Sequence, residues 1–235
     1  MGNVRDPAVA GFFYPADKET LASDVAGYLS AAPAPATLAP KALIAPHAGY
    51  VYSGQIAANA YATWRSQRDN IELVVLIGPA HRAAFQGIAA PKVEAFNTPL
   101  GDVPIDADAV AAIRDMPQVL LDDEPHRKEH SLEVHIPFLQ KVLGDFTLLP
   151  LVAGSVSAEQ VAEVLERLWG NRSTRFVIST DLSHYQDYES AQRLDGATAE
   201  AIETMNPGAI SRDQACGRIS VAGMLIAARN HGLSV

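Results

Sequence analysis

IELVVLIGP, residues 71–79, is the stretch that decides the fold. From Leu73 to Ile77 it carries no polar side chain, and it stops at Gly78 and Pro79. A strand with one wet face alternates polar and apolar residues. An unbroken β-branched and leucine-rich run of this length belongs to a strand covered on both faces, as in the middle of a parallel sheet. KALIAP (41–46), FTLLPLVAG (146–154) and RFVISTD (175–181) repeat the pattern, each halted by Gly, Pro or Asp. Helical periodicity lies between them. SGQIAANAYATWRSQ (53–67) is alanine-rich, and SAEQVAEVLERLWG (157–170) opens on a Ser-x-x-Gln capping box and closes on Gly170. Helices are also predicted at 17–31, 106–115, 190–204 and 217–230, and EAFNTPLGDVPID (94–106) predicts a short strand or hairpin with a turn. The expected fold class is α/β: a single domain over 1–235, with a largely parallel or mixed β-sheet, helices on both faces and room for an antiparallel edge strand. AAPAPATLAP (31–40) reads as a rigid loop, and neither an internal repeat nor a domain linker is evident.

Composition narrows the function classes. At 235 residues, 48% hydrophobic and 19% charged, the chain fills one core without needing a second. A net charge of −9 with only 18 Lys and Arg disfavours a surface that tracks phosphates, so no nucleic-acid partner is expected. No apolar run approaches the roughly 20 residues of a membrane span, and the N-terminus lacks the cationic start and long apolar block of a leader. Asp6 stands where a myristoylation signal needs Ser or Thr. A cytoplasmic protein without a membrane partner is expected. The single cysteine, Cys216, allows no internal disulfide.

Ligands of open α/β sheets sit beyond the carboxyl ends of the strands, where loops and helix N-termini converge. His47 follows LIAP, His81 follows LIGPA, and Asp181 and His184 follow RFVI. Separate strands thus deliver imidazoles and a carboxylate to one edge. A second cluster, EPHRKEHSLEVHIPFLQKVL (124–143), holds His126, His130 and His135 with Glu129 and Glu133. His130 and His135 are five apart, which does not place both on one helix face, so this is no HExxH zinc helix. Pro137 fits only near a helix start, which puts that start close to His135. His126, in a charged loop, reads as a solvated surface histidine. Cys216 precedes the helical pattern GRISVAGMLIAARNHG, where the positive end of the dipole favours a thiolate able to bind metal or attack an electrophile; a free cysteine is also often a small buried apolar residue.

RDPAVAGFFYP, IAPHAGYVYSG, IGPAH, EHSLEVHIPF, STDLSHY and ACGRISVAG occur in an order and spacing that resemble the Memo family, whose bacterial and archaeal members are called AmmeMemoRadiSam system protein B. The resemblance covers nearly the whole chain. It implies a fold similar to the class III extradiol dioxygenases, which use non-haem iron. It further implies copper or iron, with zinc as a third option and no organic cofactor, held by His47, His81 and Cys216. His184 with Asp181 matches the dioxygenases' general base, and His130 and His135 match catalytic positions lining the pocket. Tyr52 and His130 are implied as substrate-binding. Family association implies radical-SAM and AMMECR1-domain proteins as partners, beside an unidentified small molecule or peptide. Two departures stand out. Where many members carry a proline after CGR, this chain reads RISVAG, and the family's strand segment after the last helix is expected to be absent, since the chain ends in NHGLSV.

Two imidazoles and a thiolate leave an open coordination position, and the soft sulfur leans toward copper or zinc, so ring cleavage does not follow from the fold. Three functions therefore stand side by side. The first is a metal-dependent redox enzyme. The second is a metal-free hydrolase with Cys216 as nucleophile and His184 or His130 as base. The third is a non-enzymatic adaptor that takes a phosphorylated peptide in the same crevice.

Overall fold

The four apolar runs lie side by side as the parallel strands of one sheet. The protein is described here by a computed structural model covering residues 3–33, 40–170 and 173–235. In chain order its elements are β1 (Val4–Arg5), α1 (Lys18–Ala31), β2 (Ala42–Ala45), α2 (Tyr50–Ala62), β3 (Leu73–Pro79), β4 (Ile88–Ala90), β5 (Ala95–Thr98) and β6 (Gly101–Pro104). These are followed by α3 (Ala107–Ile113), β7 (Val119–Leu121), α4 (Glu124–Arg127), α5 (Ile136–Val142), β8 (Thr147–Ala153), α6 (Ala158–Arg167), β9 (Thr174–Ser179), α7 (Tyr188–Glu203) and α8 (Arg218–Asn230). The main sheet has the order β2-β9-β3-β8-β4-β7, and β1-β5-β6 form a small second sheet.

β2, β9, β3 and β8 run parallel, β4 pairs antiparallel with β8, and β7 returns parallel to β4. β4 and β7 therefore both run opposite to the four parallel strands, so the edge strand β7 is antiparallel to them as expected, with β4 as a second reversed strand inside it. Alternation along β3 explains why its run has no polar gap: Val74 and Leu76 enter one core, Val75 and Ile77 the other. The first core packs α1, α2 and α5 against one face, and the second packs α3, α6 and α8 against the other. Pro150 is tolerated inside β8 because β4 reaches only Val152 and Ala153, leaving the second edge at Pro150 without a ladder to feed.

Predicted and observed elements differ where a cap decides the boundary. Ser157 and Gln160 form the expected reciprocal capping box on α6. α2 begins three residues earlier than its apolar period indicates, at Tyr50, and gives way to a 3-10 turn over Arg65–Asn70. The expected rigid loop at 31–40 falls mostly on residues 34–39, outside the described residues. The 94–106 hairpin is present as β5 and β6. β4 and β7, three residues each, were not anticipated. His126 is not solvated. It lies in the one-turn α4 with Pro125, both buried, and its Nε2 meets the Ala89 carbonyl at 3.1 Å, while Glu124 and Arg127 pair outward at 2.6 Å. Among the described residues no helix is long and apolar enough to cross a membrane.

Candidate metal centre

β2, β3 and β9 end on the same side of the sheet, and the residues just past them meet there. His47, two residues beyond β2, is 1% exposed. Its backbone N–H donates to Asp181 Oδ1 at 2.7 Å, which ties the end of β2 to the segment after β9. Its ring Nδ1 lies 2.6 Å from Ser179 Oγ and its Nε2 lies 3.3 Å from Cys216 Sγ.

Hydrogen-bond bookkeeping fixes the tautomers. Ser179 Oγ–H donates to the Ser131 carbonyl at 2.6 Å, so the oxygen has only acceptor capacity left for its two imidazole neighbours. His47 Nδ1–H and His135 Nε2–H, at 2.9 Å, must both donate to it. His47 therefore turns a bare Nε2 toward Cys216. His135 Nδ1, bare in turn, accepts from Tyr61 O–H at 2.8 Å. Burial, then the neighbouring imidazoles, lowers His47 to about 3, and burial, then His47, lowers His135 to about 3, so both rings are neutral at working pH.

His81 is held differently. Its backbone N–H donates to Glu129 Oε2 at 2.6 Å and its Nδ1–H to Oε1 at 3.1 Å, which leaves Nε2 as the outward nitrogen. The Cys216 sulfur beside it and then Glu129 raise His81 to about 9, against the burial that opposes the shift. Burial pushes the Glu129 carboxyl up, but hydrogen bonds from His130, His81 and the Ser131 amide outweigh it and hold the group well below the usual carboxylate range.

Cys216 is clamped to the end of β9. Its N–H donates to the Asp181 carbonyl, and the Asp181 N–H points at its sulfur, 3.3 Å in each case. Gly217 follows as the N-cap residue of α8, its N–H on Thr180 Oγ1 at 2.8 Å. A Cβ on Gly217 would lie 2.4 Å from the Ser179 carbonyl oxygen, so only glycine allows this approach.

Donor atoms of His47, His81 and Cys216 lie within 4.8 Å of one another. His81, Glu129 and His130 meet the same distance limit, but Glu129 already accepts the backbone N–H groups of His81, His130 and Ser131 as well as the His81 ring. With its lone pairs committed, Glu129 orients His81 and is a poor ligand itself.

The other sequence-derived residues fall at graded distances from this triad. His130 is mostly buried, its ring centroid 4.7 Å from that of His81 and 5.5 Å from that of His47, with the Phe13 ring packed against it at 4.7 Å and tilted by 45°. Asp181 Oδ2 stands 3.8 Å from both His47 Nε2 and His184 Nε2, and His184 is 48% exposed at the mouth. His135 is fully buried with both nitrogens engaged, so it supports Ser179 from behind instead of lining the pocket as expected. Tyr52, 84% exposed on the first turn of α2, is not among the groups that meet in the cluster. Sequence reasoning passed over Ser179 and left Glu129 without a role. A serine inside the apolar run RFVIS was the available signal.

Known proteins are similar to this sequence over most of its length. The family described as Memo-like protein matches residues 5–234. A MEMO1 family protein of Aquifex aeolicus is 39% identical over 209 residues, covering 86% of this chain and 76% of the relative. Another, from Aeropyrum pernix, is 34% identical with 98% and 89% coverage. A third, from Thermotoga maritima, is 35% identical with 86% and 78%.

Proposed function

This chain belongs to the Memo family, and from that premise we propose that His47, His81 and Cys216 together hold one metal ion, copper or iron, for redox chemistry at the strand ends. One observation carries the reading. Three donors from three separate segments converge, and the nitrogen of each imidazole that faces away from the cluster is already tied down, by Ser179 for His47 and by Glu129 for His81. A ligand histidine is normally anchored in this way through its second nitrogen.

The donor set fits the group. Two imidazoles and a sulfur select first-row transition metals over magnesium or calcium, and three ligands leave a position open. Copper or iron bound there would supply one-electron chemistry and a site for an exchangeable ligand. The chain's own residues do the rest. Asp181 fixes the His47 backbone through Oδ1 and offers Oδ2 to His184, whose partly exposed ring takes or releases a proton at the mouth. His130 adds a third imidazole beside the two ligands, with Phe13 packed against it at a tilt.

A metal-free Cys-His hydrolase is the second reading, favoured by the 3.3 Å separation of Cys216 Sγ from His47 Nε2. Against His47 as its base, a ring lowered to about 3 is weak toward a thiol yet a suitable neutral ligand, so a hydrolase would have to use His81, raised to about 9 beside the same sulfur. Titration of metal-free protein with zinc, followed by calorimetry, separates the two. Saturation at one ion per chain supports the metal centre. Absence of binding, with rapid alkylation of Cys216 by iodoacetamide, supports the hydrolase.

Ser179→Ala removes the anchor of His47 and leaves His135 Nε2–H without its acceptor. Zinc affinity is expected to fall roughly tenfold or more, the usual cost of an outer-shell partner. The same titration checks it, and unchanged affinity would mean that Ser179 does not set the His47 ring.

A further inference from the structure

We propose that the hollow on the β8 side of Cys216 is a binding site for an uncharged, largely apolar small molecule. Its volume of about 600 Å³ lies within the range of small-ligand clefts. Three segments wall it: the loop after β3, with Ala83, Phe85 and Gln86; the end of β8, with Ser155; and the chain entering α8, with Cys216 and Ile219. β3 and β8 are neighbours in the sheet, so the hollow opens beyond two adjacent carboxyl ends, the location that open α/β sheets use for ligands.

The wall is built in advance. Gly87 and Gly154 exchange a backbone hydrogen bond of 2.9 Å, the Gly87 N–H also reaches the Ser155 carbonyl at 2.9 Å, and the Ser155 N–H reaches the Phe85 carbonyl at 2.8 Å. These bonds zip the loop after β3 onto the extension of β8. A Cβ on Gly154 would meet the Phe85 carbonyl oxygen at 2.5 Å and its ring at 2.9 Å, so glycine is what lets Phe85 lie against the strand end. Gly87, at φ +91°, turns the loop there.

The chemistry of the lining selects the ligand. Among the described residues no Asp, Glu, Lys, Arg or His lines the hollow, and Cys216 is its one ionisable group. A charged ligand would give up hydration without meeting a counter-charge. The alanines, Phe85 and Ile219 suit an apolar body, while the Gln86 amide and the Ser155 and Ser220 hydroxyls suit neutral hydrogen-bonding groups. Cys216 belongs both to this wall and to the donor cluster, so an occupant lies against the sulfur. That the occupant is the molecule on which the centre acts rests on the metal reading; its binding does not.

Benzamide, benzoate and benzamidinium share a phenyl ring and differ in charge. With metal-free protein carrying ¹³C-labelled alanine and isoleucine methyls, millimolar benzamide is expected to move the Ala83 and Ile219 resonances saturably. The two charged probes should bind at least about tenfold more weakly. Ser155→Phe, at an exposed position, fills the hollow and should abolish the benzamide response. Equal or tighter binding of either charged probe, no saturable shift at those methyls, or a response that persists in Ser155→Phe would overturn the proposal. Zinc titration of the wild-type chain reads the metal centre separately, so either reading can fail alone.

Discussion

Cys216→Ser is expected to weaken zinc binding by more than the roughly 10–100-fold that loss of an outer-shell partner costs, because in the proposed site it removes one of three ligands outright. A thiolate forms readily on a metal, whereas a serine hydroxyl must lose a far less acidic proton to replace it. The substitution is mild for the fold. The Asp181 N–H that points at the sulfur at 3.3 Å can turn to a hydroxyl oxygen, and the Cys216 backbone bond to the Asp181 carbonyl is untouched. Circular dichroism and thermal melting of the metal-free variant should therefore match the parent while zinc calorimetry loses its signal. His47→Ala should lose the metal as well, and should also destabilise the protein, since it leaves a void at a 1% exposed position and Ser179 with an unfilled acceptor site. If Cys216→Ser keeps the parent's zinc affinity, the sulfur is not a ligand.

Glu133→Ala is expected to destabilise the protein by about 3–5 kcal/mol, the range for breaking a buried ion pair by removing one partner. Glu133 is fully buried and accepts four hydrogen bonds: from Arg5 Nη1 at 2.7 Å, the Ala8 N–H at 2.7 Å, the Val9 N–H at 3.0 Å and Tyr14 O–H at 2.6 Å. Burial, and then Glu133, keeps the Tyr14 phenol protonated well above its usual range, as its donor role requires. Arg5 meanwhile donates Nε to the His126 carbonyl at 2.7 Å and Nη2 to the Glu129 carbonyl at 2.8 Å. This single carboxylate thus fastens the N-terminal segment to the stretch that carries Glu129 and His130. Guanidinium denaturation measures the loss. Arg5→Met combined with Glu133→Leu should recover part of it, because no unpaired charge then stays buried. A Glu133→Ala loss below about 1 kcal/mol would contradict this account of the segment.

The parts of the fold that could be read in the sequence were those carried by long local signals. IELVVLIGP, FTLLPLVAG and RFVISTD declare doubly covered strands because their successive aliphatic and aromatic residues alternate between one core and the other. IAA in β4 and VLL in β7 are too short and too ordinary to declare anything, since only their pairing in space makes them strands. His126 misled for a related reason. Charges surround it in sequence, yet one helical turn sends Glu124 and Arg127 outward together and His126 inward, toward Phe96.

The site divides in the same way. His47 and His81 were legible because each closes a strand run, whereas Cys216 needed the family resemblance, because its helix pattern says nothing about which strand end it faces. Ser179 and Glu129 act through contacts 132 and 48 residues away in sequence, which no local pattern encodes. His135 was placed correctly at a helix start, but the turn over Glu133–His135 carries its ring into the core, against Tyr61, and not toward the hollow.

X-ray absorption at the edge of the bound metal tests the central claim most directly, because it counts the scatterers around the ion. One sulfur near about 2.3 Å with imidazole nitrogens near about 2.0–2.1 Å is the shell that zinc in a His47, His81 and Cys216 site must show. A spectrum of light scatterers alone, with no sulfur contribution, would contradict it.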